Sequence, residues 1–474
     1  MNKEFFRIKN LEKILFLLPI FLFLGLLLPF LHSIPHRDGN IEFVESFDFY
    51  SKGVNGYLLK WREANHPPAK CFLVKILFSI FGVKPIVYNS LGLIFGSFAI
   101  VFFYFLVKTI FQDTKLAFLS SLLLATHPLF VANGLFALRD FLVLVFLIFS
   151  LYFYAQDKPL SYGIFAIFLV FAKETALLFP FIVLIIDLLF NIRNFKKVVI
   201  DTIPFLAFAL WFWKLKSLNL SVWSAHVLSK GGSPFTIVMY NLASLASFQF
   251  FRGGQFLNEQ AEQHWRQLFF LNFNWVFWLI LFTGLIFRTI KTIRERGFLL
   301  FSLKTPAAKT LLVIWLFPLA YIFSVLTFPT YTIPRYALPV IPFLLIGTSW
   351  AICKVFPKWL RTLSLGILIL VIPLSLFTSS DPISIKLWGK EKFLGEELYP
   401  LYLTWAGNDG VTYNWQYLKI VKKRTEAIEA IQSGKRALTP NDCSFIFPDP
   451  NNDYQTFQIL KKEKLWQNSL CELH

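Results

Sequence analysis

Leu160 to Phe190 reads LSYGIFAIFLVFAKETALLFPFIVLIIDLLF, an apolar run broken near its middle by Lys173-Glu174. As one long helix it would cross a membrane once; as a hairpin broken at the charged pair it crosses twice. The flanking charges decide between them. Lys158 precedes the run, and Arg193, Lys196 and Lys197 follow it. A single crossing would put these basic groups on opposite sides and export the basic N-terminus (Lys3, Arg7, Lys9, Lys13). A hairpin keeps every basic cluster in the cytoplasm, as positive-inside topology favours. The sequence therefore predicts a hairpin with Lys173-Glu174 at its outer tip. Its first arm, Ser161 to Ala172, rises about 18 Å at about 1.5 Å per residue, short of a hydrocarbon core of about 30 Å. Leu116 to His127 is similarly short. If the following residues do not extend these arms, His127 and Lys173-Glu174 lie below the outer surface and line a recessed polar cavity.

The rest of the chain supports a membrane reading. It has 474 residues, 56% hydrophobic and only 16% charged, where soluble domains carry about 25% charged residues. The net charge of +18 sits largely in short loops between apolar runs, which positive-inside topology explains without nucleic acid. The first apolar run, Ile14 to Leu31, exceeds a signal-peptide core and lacks a small-residue cleavage site, so it reads as a retained helix. The four cysteines, Cys71, Cys353, Cys443 and Cys471, have no CxxC spacing and suggest no zinc site.

Working outward from the hairpin gives about 11 spans, with the N-terminus cytoplasmic. Residues 1–378 form a polytopic helical bundle with outer loops 32–85 and 213–267, and Ala69 to Phe81 reads as a helix along the outer surface. Residues 379–474 have no membrane-length run and read as a small soluble α+β domain outside the membrane. It is expected to hold a helix around Val421 to Ser433 and a strand over Cys443 to Phe447. Cys443 and Cys471 there are either a disulfide or two free thiols.

Ionisable groups then gather on the outer side. On spacing alone, Asp38 reads first as the N-cap of a helix beginning near Ile41 and second as a general base or metal ligand. Glu42 and Glu45 read as a solvated face. Pro67-Pro68 marks a helix start but leaves His66 unexplained. His66 suits a phosphate, a metal or a cap, and Lys70 beside it favours an anion site. Arg139-Asp140 opens a crossing, where Asp complements the helix dipole and Arg can snorkel. Lys173-Glu174 reads as functional, since charges deep in a membrane usually face a cavity. Arg335-Tyr336 suits either a grip on a lipid phosphate or an interfacial anchor. Trp211, Trp213, Trp223, Trp265 and Trp275 read as membrane-belt residues.

In order, HRDGN (36–40), NHPPAK (65–70), ALRDFLVLVF (137–146), FAKETALLFP (171–180) and IPRYALPVIP (333–342) resemble the motifs of the GT-C superfamily of membrane glycosyltransferases. The nearer likeness is to the branch of protein O-mannosyltransferases and lipid A aminoarabinose transferases, over about the first 350 residues. The resemblance implies an enzyme of the cytoplasmic membrane that uses a polyprenyl-phosphate sugar at the outer face. Asp38 matches the acidic residue thought to act as catalytic base, and Asp140 the acidic residue of the second outer loop. Lys173 and Arg335 match positive residues near the donor phosphate. His66, Lys70, Arg139, Glu174 and Tyr336 complete the expected donor and substrate site. Two positions depart from the pattern and bear on phosphate recognition and metal dependence. Gly39 stands where many relatives have a second acid, and His66 where they often have a Lys.

The implied reaction is a single displacement with inversion, in which two cations stabilise the departing phosphate; a divalent metal is helpful but not obligatory. The acceptor is a lipid, a glycan or a protein. The competing readings are a lipid or sugar-lipid transporter, which would show internal repeats and midplane charges, and a non-catalytic protein of the same fold.

Overall fold

The structure, a computed structural model, describes residues 16–36, 38–60, 66–190, 194–218, 220, 274–294, 305–326, 334–378, 391–393, 396–398, 415–433, 435, 456 and 459. Prolines and capping side chains set many helix starts. α1 (Leu17–Leu27) continues as a 3-10 turn to Phe30. α2 (Asp38–Lys60) kinks at Gly53, whose φ of 68° glycine adopts without strain. α3 (Ala69–Phe81) starts directly after Pro67-Pro68, and α4 (Pro85–Phe111) carries proline in its first turn. In α5 (Thr114–Ala125) the Asp113 carboxylate caps the start by accepting from the Lys115 and Leu116 amides.

The expectation that the Leu116 to His127 arm ends there is corrected. A short helix, α6 (Pro128–Gly134), extends it after a bend of 57°. Pro128 has no amide to continue the ladder and pushes His127 into an extended conformation, φ −69° and ψ 125°. His127 is buried at this bend.

Next come α7 (Arg139–Ala155), α8 (Pro159–Ala172), a 3-10 turn (Glu174–Leu177) and α9 (Leu178–Phe190). They are followed by α10 (Phe195–Ser217), α11 (Trp275–Arg294) and α12 (Pro306–Leu326). A 3-10 stretch (Pro334–Val340) leads into α13 (Ile341–Trp350), and α14 (Lys358–Pro373) closes the bundle. Beyond it, β1 (Glu391–Phe393) pairs antiparallel with β2 (Glu396–Leu398), and α15 (Trp415–Gln432) follows.

α7 is the axis of the bundle. Its sequence is apolar all round, as a fully enclosed helix requires, and 15 of its 17 residues are buried. α4 and α8 pack against it. The hairpin expected from Leu160–Phe190 forms. At one end, Lys173 Nζ lies 2.7 Å from Asp140, in the first turn of α7. At the other, Lys197 Nζ lies 3.2 Å from Asp157, just past the end of α7, and 3.3 Å from Asp187 on α9. The chain therefore runs the length of α7 along α8 and returns along α9.

This is a multi-pass membrane protein. Among the described residues six helices are long and apolar enough to cross a bilayer, or up to seven when the bent α5–α6 pair counts as one span. The remaining four of the expected crossings fall on α1, α7, α8 and α9, which have 11 to 17 residues. α3 presents Cys71, Val74 and Phe78 to the core and Phe72, Ile76 and Ile80 outward. Trp213 belongs to α10, so the helix runs past the expected loop boundary. Trp223, Trp265, Cys443, Cys471 and the strand expected over 443–447 lie outside the described residues.

Candidate active site

Charged groups from five separate segments meet at the α7 end marked by Arg139-Asp140. The Asp38 carboxylate, in the first turn of α2, pairs with the Arg335 guanidinium from the 3-10 stretch before α13. Arg335 Nε also donates to Asp140 Oδ2 at 3.2 Å. The other Asp140 oxygen accepts from Lys173 Nζ at 2.7 Å. Lys173 sits over the Tyr336 ring, 4.1 Å from its centroid, close enough for a cation–π contact. The result is a line of alternating charge, Asp38–Arg335–Asp140–Lys173, with side-chain exposures between 3% and 14%. Asp38 is therefore inside the first turn and ion-paired, and is not a cap ahead of a helix at Ile41.

Beside Lys173, Glu174 pairs with His66, Nδ1 to Oε2 at 3.1 Å. Burial pushes the Glu174 carboxyl up, but His66, a backbone hydrogen bond and Lys173 outweigh it and hold it at about 2. For Lys173, burial favours the neutral amine, yet Asp140 wins and holds it above its ordinary value. The cation at the hairpin tip stays charged.

A second network braces the first. Lys70 is 1% exposed, and its ammonium donates to Glu42, to the Tyr88 hydroxyl at 2.7 Å and to the Phe136 carbonyl at 2.9 Å. All three donors of the group are thereby used. The Tyr88 hydroxyl in turn donates to the Gly39 carbonyl at 3.1 Å. Arg139 pairs with Glu45 and approaches Glu42 at 3.6 Å, and its backbone amide donates to Glu42 at 3.4 Å. The expectation of a solvated face for Glu42 and Glu45 is overturned: they are 7% and 1% exposed. Burial pushes Glu42 up, but Lys70 and Arg139 outweigh it and hold its carboxyl below the usual range. Ala137, between Phe136 and Arg139, has a φ of 44°, a left-handed conformation that costs a non-glycine residue about 1–2 kcal/mol. Its neighbours are held on both sides by Lys70 and Glu42.

Gly39, the departure from the family pattern, has a physical reason. A Cβ there would meet Phe136 Cγ and Cδ2 at 3.0 Å. Phe136 fills the space a second acid would need.

All the expected site residues are thus brought into one buried region, in two linked networks. Glu42, Glu45 and Tyr88 were missed as functional supports. The signal was present in IEFVESFDF (41–49): both acids are interleaved with Phe43, Val44 and Phe47, so a helix that buries the aromatics buries the acids too. Among the described residues no group of three or more His, Cys, Asp or Glu side chains is arranged to hold a metal ion.

Residues 65–215 match the family described as dolichyl-phosphate-mannose-protein mannosyltransferase. That segment carries His66, Lys70, Arg139, Asp140, Lys173 and Glu174. No curated protein matches the sequence. Among solved structures, ArnT from Cupriavidus metallidurans bound to undecaprenyl phosphate matches with a TM-score of 0.50 at 12% identity, over 94% of this chain and 76% of that one. The apo form of the same ArnT matches with a TM-score of 0.50 at 13% identity, over 95% of this chain and 74% of that one. At such identities the likeness is one of fold. The family match covers residues 65–215, while the likeness of fold to ArnT extends over nearly the whole chain.

Proposed function

We propose that the protein transfers a sugar from a polyprenyl-phosphate donor to a lipid, glycan or protein acceptor at the outer face of the cytoplasmic membrane, with inversion at the anomeric carbon. The observation that carries this reading is the buried line Asp38–Arg335–Asp140–Lys173. Two cations held side by side in a low-dielectric site suit the phosphate of a lipid-linked sugar, and a carboxylate at one end suits a base. The ArnT structure with undecaprenyl phosphate supports the choice of lipid class.

In the proposed reaction Asp38 takes the proton from the acceptor nucleophile as it attacks the anomeric carbon. The bond from that carbon to the phosphate oxygen breaks, and the electron pair leaves with the polyprenyl phosphate. Arg335 and Lys173 meet the charge gained by the leaving group.

The ion pair between Asp38 and Arg335 adds an order to these events. A carboxylate bound to a guanidinium is a poor base. Donor phosphate competes with Asp38 for Arg335, because its oxygens suit the same planar fork. Arrival of the donor therefore releases the base, and the acceptor is deprotonated only when a leaving group is in place.

Mass spectrometry of envelope glycans and lipids in a deletion strain tests the reading. One sugar modification is expected to disappear and to return with the wild-type chain. An envelope unchanged by the deletion would overturn it. Purified protein is expected to bind undecaprenyl phosphate, and a protein that moves that lipid across vesicles without transferring sugar would favour the transporter reading.

A further inference from the structure

The segment leading into Asp38 is held from both sides. From the bundle, Asn89 on α4 donates to the carbonyls of Leu31 at 2.9 Å and Ser33 at 2.8 Å. From the far end of the chain, Arg424 on α15 donates to the Pro35 carbonyl at 3.0 Å. The Ile34 amide donates to the Thr425 hydroxyl oxygen, also at 3.0 Å. Local bonds complete the set: Ser33 N to Phe30 O at 2.9 Å and Gly39 N to His36 O at 3.0 Å. Arg424 is fully buried and Thr425 is 5% exposed, so neither is a chance surface contact. α15 rests on α6, on the 3-10 turn after α1 and on the last turn beyond α14.

The sequence separation makes the arrangement unusual. Ile34 and Pro35 lie within four residues of Asp38, whereas Arg424 and Thr425 are about 390 positions further along. Only short-range contacts are needed to fold a seven-residue connection, 31–37, between two helical elements. Reaching across the chain to bind its carbonyl and amide fixes the backbone at a chosen place. A base needs that: its oxygen must come within about 2.6–3.2 Å of the proton it removes, and a misplacement of about 1 Å can cost about a hundredfold in rate.

We propose that α15 is a positioning element for the catalytic carboxylate, with Arg424 and Thr425 as positioning residues that set where Asp38 stands relative to Arg335. This rests on the reading of Asp38 as the base. It gives the part of the chain beyond the membrane bundle a role inside the reaction: irregular segments at the ends of the bundle helices supply the cations, and the C-terminal helix holds the base in register with them.

The test uses the full-length protein with two variants, Arg424→Ala and Thr425→Val. The second keeps the shape of the side chain and removes only the oxygen that Ile34 bonds. Hydrogen exchange is followed by mass spectrometry in peptides covering 31–44 and 139–155, together with undecaprenyl phosphate affinity and the amount of sugar-modified product in the envelope. Expected are exchange about tenfold faster over 31–44 and unchanged over 139–155, affinity within about twofold of wild type, and product down about tenfold. Helix support for the whole site would instead lower affinity in step with product, and that outcome overturns the proposal. So does unchanged exchange over 31–44 in both variants, or faster exchange with full product. If the deletion strain shows no lost modification, the sugar-transfer reading fails by itself, and the exchange data still decide whether α15 holds the loop.

Discussion

At one end of α7, Asp140 is shared by Lys173 and Arg335; just past the other end, Lys197 is shared by Asp157 and Asp187. Both clusters hold a buried cation, although Asp157 itself is exposed, and both add an aromatic partner. Lys173 lies over Tyr336, and Lys197 lies 4.5 Å above the Tyr154 ring, whose hydroxyl donates to Asp187 at 3.1 Å. They differ in how they are built. The Lys197 cluster comes from consecutive elements, residues 154 to 197, and rests on regular helix except at Asp157, a helix-end turn residue with a φ of 53°. The Asp140 cluster spans residues 38 to 335 and rests on the places where regular helix fails: first turns, the 3-10 turns at 174 and 334, and Ala137 with its positive φ. Irregular backbone costs free energy and persists only when the surroundings over-determine it. The Asp157 turn is closed by local bonds, Asp157 N to Tyr154 O at 3.1 Å and Lys158 N to Phe153 O at 3.0 Å, whereas Phe136, Arg139 and Gly39 are held by side chains from other segments. On the proposed function, the difference makes the Lys197 cluster a fastening and the Asp140 cluster the place of chemistry.

Asp38→Asn should have the largest effect. It keeps the shape and removes the base, and general-base catalysis contributes about a hundredfold to ten-thousandfold. Envelope product measured at equal protein level is expected to fall by that factor, with melting behaviour near wild type. A fully active Asp38→Asn protein would remove the base assignment and blur the contrast between the two ends.

Lys197→Met attacks the other end. It removes the ammonium that pairs with the buried Asp187, and breaking a buried pair by removing one partner costs about 3–5 kcal/mol. The thermal midpoint in detergent should drop clearly, while product per folded molecule stays within about twofold. A loss of product without a loss of stability would show that this end, too, takes part in the reaction.

Arg335→Gln comes next. Hydrogen bonds to charged groups are worth about 1.5–3 kcal/mol, so undecaprenyl phosphate affinity should fall by about ten- to a hundredfold, read by titration of the purified protein. Unchanged affinity would mean that the donor phosphate binds elsewhere and that the pair with Asp38 is structural.

The hairpin shows how much was legible in advance. Lys158, Lys173, Glu174 and Lys197 carry their sidedness in their own charge, because a membrane sorts charged loops locally, and the contacts of Lys173 and Lys197 bear out the fold drawn from them. Asp38, Asp140, Lys173 and Arg335 could be assigned to one side for the same reason. Their pairing could not, since no local rule connects residue 38 to residue 335. Glu42 and Glu45 were misread as peripheral because a helix face looks solvated until the partner that covers it is known. Here the covers are Lys70 and Arg139, from two other helices. Arg424 lay further out of reach still, in a stretch whose composition suggests an independent soluble unit.

Gly39→Ala sharpens the comparison at the smallest scale. Its new Cβ would stand 3.0 Å from two atoms of the Phe136 ring, inside ordinary van der Waals contact. The ring has little freedom to yield: Phe136 is 1% exposed, its carbonyl is held by Lys70 and the next residue is already in a left-handed conformation. Overpacking of this kind costs about 1–3 kcal/mol, and the strain enters one residue from Asp38. Sugar transfer should fall several-fold with undecaprenyl phosphate affinity unchanged, since neither Lys173 nor Arg335 is touched. Phe136→Ala should relieve part of the loss when combined with Gly39→Ala. The coupling energy of that double-mutant cycle then measures the contact directly. Strict additivity would mean that Gly39 is set by its backbone and not by the ring, and an acid at 39 would then be acceptable here as it is in relatives.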